Sequence, residues 1–165
     1  MPETPERLAE RLASESQKTM EFFRALLPAQ WDCVVYTQGP VWTAHHLLAH
    51  FVSAEQALRT LIEDVYAGGA GAPENFDIDG FNADEVAEFV ERTPDELLRE
   101  FEASRQACVV LVRRMKAADL ANTGRHPFLG WVTLEDMIKM LYRHDQIHLR
   151  DLRRLLKPEA GEIAG

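Results

Sequence analysis

Apolar side chains recur at helical spacing through four long stretches of the chain, and most glycines and prolines gather between them. The first stretch, Thr4 to Leu27, opens with a Thr cap and a Pro preset for the first helical position. It carries Leu8, Leu12, Met20, Phe23 and Leu27 on one side and is closed by Pro28. The second starts at Trp42 and Thr43 after Gly39 and Pro40 and runs to Tyr66, where the run from Ala67 to Gly71 cannot sustain a helix cheaply. Leu47, Phe51, Ala54, Leu58, Leu61 and Val65 form its apolar side. The third begins at Thr93, Pro94, Asp95 and Glu96, a cap, a proline and a carboxylate placed for a capping box; it directs Leu97, Phe101, Cys108, Leu111, Val112 and Met115 inward. The fourth runs from Thr133 to Leu156 with Leu134, Ile138, Leu141, Leu152 and Leu155 in its stripe. Four amphipathic helices of about 23 residues, each ~35 Å long, predict an all-α chain folded as a four-helix bundle.

Two connections are long, Gly68 to Thr93 and Ala118 to Val132, so the chain can cross over the bundle instead of stepping between neighbours. In the first, the segment Asn75 to Asn82 alternates acids with apolar residues but lacks the spaced acids and closing Glu of a calcium loop. It reads as a loop pinned by Phe76, Ile78 and Phe81, followed by a short helix over Asp84 to Arg92. No strand pattern and no internal repeat is visible. Nothing separates two domains, so residues 1–165 read as one domain with a flexible tail from Glu159 to Gly165.

Charge and composition narrow the function. Eighteen Lys and Arg against twenty-seven Asp and Glu leave a formal net charge of -9, which repels nucleic-acid phosphates and anionic lipid. No window approaches the ~20 apolar residues of a membrane span, and the start lacks a secretory layout, so a cytoplasmic protein is expected. Cys33 and Cys108 lie far apart without metal-site spacing and read as core thiols.

The suggestive chemistry is in six histidines: His45, His46 and His50 on the second helix, His126 in a loop, His144 and His148 on the fourth. Two pairs stand four residues apart, where composition alone predicts about 0.2 such pairs. Imidazoles at this spacing face the same way and can grip one metal ion. At about 100° per residue, His144 and His148 fall in or beside the apolar stripe of their helix, and His50 is the best inward-facing histidine of the second. A bundle that buries both stripes brings these three together and leaves a coordination position for water or substrate. The alternative makes His144 and His148 boundary residues hydrogen-bonded to acids. For His45, His46 and His126 the plain structural reading leads, although His126 could overhang the bundle mouth. Asp145 falls inside the stripe and needs a partner, either the second ring N–H of a ligating histidine or an Arg from another helix. Glu55, one turn beyond His50, is a candidate proton acceptor or a solvated helix-edge acid. Gln146 points outward, and Arg150, Asp151, Arg153 and Arg154 belong to the charged face.

The segments from Trp42 to His50 and from His144 to His148, with Phe81–Asn82 and the Gly130–Leu134 helix entry between them, resemble the DinB/YfiT-like metalloenzyme family along nearly the whole chain. The resemblance implies a four-helix bundle of that type, a divalent ion, commonly nickel or zinc, on His50, His144 and His148, and often a homodimer. Iron, cobalt and manganese are further candidates, since affinity order alone does not choose the occupant. It also implies activities such as thiol-dependent S-transfer or isomerisation with a low-molecular-weight thiol cosubstrate.

The expected function is a metal-dependent hydrolase or low-molecular-weight-thiol-dependent S-transferase acting on a small molecule. His50, His144 and His148 would be ligands, Asp145 would orient one of them, and Glu55 would accept a proton. Two other readings compete: a binding or sensing bundle in which the metal only staples helices, and a metal-free bundle that sequesters a small molecule.

Overall fold

A computed structural model describes residues 3–157; the expected flexible tail from Glu159 lies outside the described residues. The order is α1 (Pro5–Arg24), a 3₁₀ turn (Pro28–Asp32), β1 (Val34–Tyr36), β2 (Trp42–Thr43), α2 (Ala44–Tyr66) and α3 (Ile78–Phe89). It continues with α4 (Pro94–Arg113), a second 3₁₀ turn (Ala117–Ala121), β3 (Thr123–His126), β4 (Gly130–Thr133) and α5 (Leu134–Leu155). The helix starts follow from their caps. Thr4 Oγ1 accepts from Arg7 N at 3.3 Å, and Thr133 Oγ1 from Asp136 N at 3.2 Å. Thr93 Oγ1 accepts from Glu96 N, while the Glu96 carboxylate accepts from Thr93 N at 2.8 Å, closing the capping box.

Three expectations are corrected. The chain contains two short antiparallel ladders, β1–β2 and β3–β4, whose two to four residues are too short to show alternation in sequence. The segment expected as a pinned loop enters α3 at Ile78, because the Asp77 carboxylate accepts from Gly80 N at 3.0 Å and caps a helix there; Phe76 and Phe81 do pack, with ring centroids 5.4 Å apart. That helix ends at Phe89 rather than Arg92.

The third correction is a structural repeat. Residues 5–66 and 94–155 both run helix, 3₁₀ turn, ladder, helix. Buried positions of α1 recur 89 residues later in α4, from Leu8 and Leu97 through Leu12 and Phe101 to Phe23 and Val112. Most of those of α2 recur 90 residues later in α5, including Ala44 and Leu134, Phe51 and Leu141, Glu55 and Asp145. Burial repeats where identity mostly does not, so the sequence hides it. α1 and α2 each pack against both α4 and α5, which sets the two helices of each half across the bundle diagonal. α3, in the long connection, packs on α2.

The core is split at the waist. One apolar cluster contains Leu8, Leu12, Ile62, Val112, Leu134 and Ile138; the other contains Phe23, Leu48, Phe51, Phe101, Leu149 and Leu152. Between them on α4, α2 and α5 lie Arg105, Glu55 and Asp145, 1%, 2% and 3% exposed. Arg105 donates Nε to Glu55 Oε1 at 2.7 Å, and Nη2 to Glu55 Oε2 at 2.8 Å and Asp145 Oδ2 at 2.9 Å. Burial works against the guanidinium's charge, but the two carboxylates outweigh it and raise its pKa above the ordinary value. Removing one member of a buried ionic group strands the rest. Arg105→Ala should therefore lower stability by about 3–5 kcal/mol in urea unfolding, whereas replacing all three with apolar residues should recover much of the loss; an unchanged Arg105→Ala midpoint would contradict this account.

Candidate metal centre

His50 comes from α2, and His144 and His148 from successive turns of α5. The two helices pack on each other. One nitrogen from each imidazole lies within 4.8 Å of the other two. His50 Nε2 and His144 Nε2 are 2.8 Å apart, and the ring centroids are separated by 4.7 Å (50 to 144), 5.2 Å (50 to 148) and 4.7 Å (144 to 148). Trp42 lies with its ring 5.0 Å from that of His50, and Phe51 lies 5.8 Å from His144 and 6.0 Å from His148.

The network around His148 assigns its tautomer. The Tyr36 hydroxyl donates to Asp151 Oδ2 at 2.8 Å and lies 2.7 Å from His148 Nδ1. Asp151 can only accept, so the phenol proton points to it and His148 Nδ1–H donates to the phenol oxygen. His148 Nε2 then carries a lone pair. Burial, reinforced by Asp151, raises the Tyr36 pKa, so the phenol stays protonated and the relay holds. The Asp151 expectation is corrected: it is half-buried and tied to this relay, because β1 carries Tyr36 onto α5.

Glu55 is also corrected. It is not a solvated helix-edge acid, and both its carboxylate oxygens accept from Arg105, which leaves it a structural counter-charge and not a free base. Of the two partners considered for Asp145, the structure gives Arg105, whose Nη2 donates to Oδ2; Oδ1 stands 3.5 Å from His144 Nδ1, within ionic range but without a hydrogen bond. One guanidinium against two carboxylates leaves a negative charge buried beside the imidazoles, an environment that favours a cation.

The other histidines do structural work. His45 Nε2 donates to Arg92 O at 2.8 Å, and His46 Nδ1 accepts from Thr43 N at 3.3 Å. His126, expected in a loop, is instead the last residue of β3, 4% exposed, and its Nδ1 accepts from Phe128 N and Leu129 N. Gln146 is exposed as expected and donates to Glu15 Oε2 at 2.9 Å. Sequence reasoning missed Tyr36, a lone aromatic in a segment without periodicity. It also missed Arg105, although a single cation between Phe101 and Cys108 in an apolar stripe was a signal of the same kind as Asp145.

The fit to a cation follows from the donor set: His50 Nε2 and His144 Nε2 face each other at 2.8 Å, and the other nitrogen of His50, Nδ1, is buried without a partner among the described residues. If His50 Nε2–H donated to His144, Nδ1 would be a bare lone pair; with the proton on Nδ1, the Nε2 lone pair faces two other imidazoles. Protonating both nitrogens is costly, since burial and then the neighbouring His144 and His148 push the His50 pKa well below its ordinary value. A cation shared by the three rings satisfies the inward lone pairs. The rings open on a cleft of about 1590 Å³ lined by Tyr36, Trp42, Phe76, Phe81 and Phe128 among others.

Burial, with His144 next, pushes His148 and His126 down to about 4. Unfolding returns these rings to a pKa near 6.5, so the unfolded chain binds more protons between the two values. Chelator-treated protein should accordingly be more stable above about pH 6.5 and lose stability as the pH falls toward 4. A urea midpoint that rises on acidification through that window would oppose this assignment.

Comparisons with known proteins place the fold and the family. The fold matches YfiT from Bacillus subtilis, a probable metal-dependent hydrolase with an unusual four-helix bundle topology, with TM-score 0.75 and 15% identity, over 92% of this chain and 85% of that one. It also matches the mycothiol-dependent maleylpyruvate isomerase with TM-score 0.66 and 21% identity, over 90% of this chain but 59% of that longer one. No curated protein matches the sequence. The family model for the DinB superfamily matches residues 11–152. With the match spanning both halves of the bundle and the three histidines, the chain belongs to the DinB superfamily.

Proposed function

We propose that this protein is a metal-dependent enzyme that acts on a small molecule in the cleft beside His50, His144 and His148. The carrying observation is the convergence of three imidazole nitrogens within 4.8 Å at the wall of that cleft. A divalent cation held there, zinc or nickel by preference with iron, cobalt and manganese as alternatives, supplies Lewis-acid activation of a water or thiol near neutral pH. This supports hydrolysis or transfer with a low-molecular-weight thiol as cosubstrate; the two structural neighbours are described as a metal-dependent hydrolase and a mycothiol-dependent isomerase.

The chain's own residues prepare the centre. Asp151 and Tyr36 hold His148 with Nε2 inward. Asp145, itself fixed by Arg105, keeps a carboxylate oxygen 3.5 Å from His144 Nδ1. Trp42 packs its ring against His50, and Phe51 against His144. Among the described residues, the ligand-capable group contains three histidines and no fourth His, Cys, Asp or Glu. An open position favours the enzyme reading over a metal staple, which needs a closed shell.

Protein purified without an affinity tag should contain about one divalent ion per chain by elemental analysis, and His148→Ala should lose most of it; undiminished content would remove His148 from the site. Tyr36→Phe keeps the ring and removes the acceptor of His148 Nδ1–H. It should weaken metal affinity by about tenfold or more in competition with a chromogenic chelator, with the fold intact. Wild-type affinity in that variant would dismiss the relay.

A further inference from the structure

The repeat gives the three imidazoles a counterpart. Under the 90-residue offset between α2 and α5, His50 corresponds to Met140, His144 to Ala54 and His148 to Leu58. All six residues line the one cleft. The two halves therefore bring equivalent trios to its wall, one of imidazoles and one of apolar side chains. Tyr36, ahead of α2, meets His148 and Asp151 late in α5, so the two helices run antiparallel. The apolar trio then lies about six residues along either helix from the imidazoles, ~9 Å at 1.5 Å per residue.

This trio is more than the edge of the core. Ala54, Leu58 and Met140 are each half-buried, and Met140 joins neither of the two apolar clusters. Apolar surface open to a cleft is covered favourably by the hydrocarbon part of a ligand, and a flexible thioether adapts to its outline. Ala54 sets the room available. The equivalent place on α5 carries the imidazole of His144, so the scaffold admits a large side chain there, and alanine leaves that space to a ligand.

We propose that Ala54, Leu58 and Met140 form the subsite for the apolar body of the substrate, with Ala54 limiting its size. The substrate class is a molecule with a metal-ligating polar head and an aryl or alkyl group ~9 Å from it, the distance the helix rise sets between the trios. This deepens the reading of the cleft as a substrate site and rests on it, but the subsite is testable without metal.

Methionine labelled on its methyl carbon supplies the reporter for NMR on the full chain. After chelation, butylbenzene, which has no polar atom, should shift the Met140 methyl signal and leave those of Met20 and Met137, buried in the core, in place. Ala54→Leu should weaken that binding by about tenfold or more, because the added side chain fills the space, with metal content by elemental analysis unchanged. In nickel-loaded protein, hexanohydroxamate should bind more tightly than acetohydroxamate by about threefold to fourfold per added methylene. Ala54→Leu should erase that gain and spare acetohydroxamate, whereas a general loss of structure would weaken both. Should the variant not fold, the wild-type Met140 shift and the hydroxamate series decide. An unmoved Met140 signal, a hydroxamate affinity indifferent to chain length, or metal lost from folded Ala54→Leu overturns the proposal. A Met140 response in a protein that takes up no metal would defeat the metal reading and leave the apolar subsite standing.

Discussion

The guanidinium of Arg105 has no water to turn to, and its partners come from two other helices. Glu55 of α2 takes two of its N–H groups and Asp145 of α5 a third contact, so one side chain of α4 sets the register of three helices at the waist of the bundle. Apolar packing alone tolerates sliding, because Leu and Phe surfaces are interchangeable within a turn; a buried ionic group does not, since every misplaced register leaves charge without a counter-charge. The apolar clusters above and below this belt are therefore locked relative to each other.

That lock positions the histidines. His50 lies five residues before Glu55 on α2, and His144 immediately precedes Asp145 on α5, so fixing the carboxylates fixes the turns that carry the imidazoles. The repeat gives this arrangement its form. Glu55 and Asp145 occupy equivalent places in the two halves, and both reach the same Arg105, but only the second half carries the His144 and His148 pair. A near-symmetric scaffold thus holds an asymmetric centre. The ladders contribute separately, β1 by delivering Tyr36 to His148 and Asp151, β3 by seating His126 at the cleft.

How much of this was legible depended on whether the signal was periodic. Helix spacing, caps at Thr4, Thr93 and Thr133, and the inward bearing of His50, His144 and His148 are local properties, and wheel arithmetic reads them directly. Asp145 could be flagged because a carboxylate in an apolar stripe is an unsettled charge, but which partner settled it was a question about another helix. Glu55 was misread for the same reason: its helix position resembles an edge until α4 packs against it. Tyr36 carried no local signal at all, since a three-residue strand with an irregular register has no period to read.

The sequence by itself determined four amphipathic helices, their starting points, an acidic chain with no apolar span, and a set of histidines able to face one another. Those outcomes rest on backbone hydrogen bonding and burial within single segments. Tertiary structure alone decided that the helices of each half lie on the diagonal, that Arg105 joins Glu55 to Asp145, and that Tyr36 and His126 border the three imidazoles. Each of these is a contact between residues far apart in the chain, and its energy exists only once both partners have been taken out of water together.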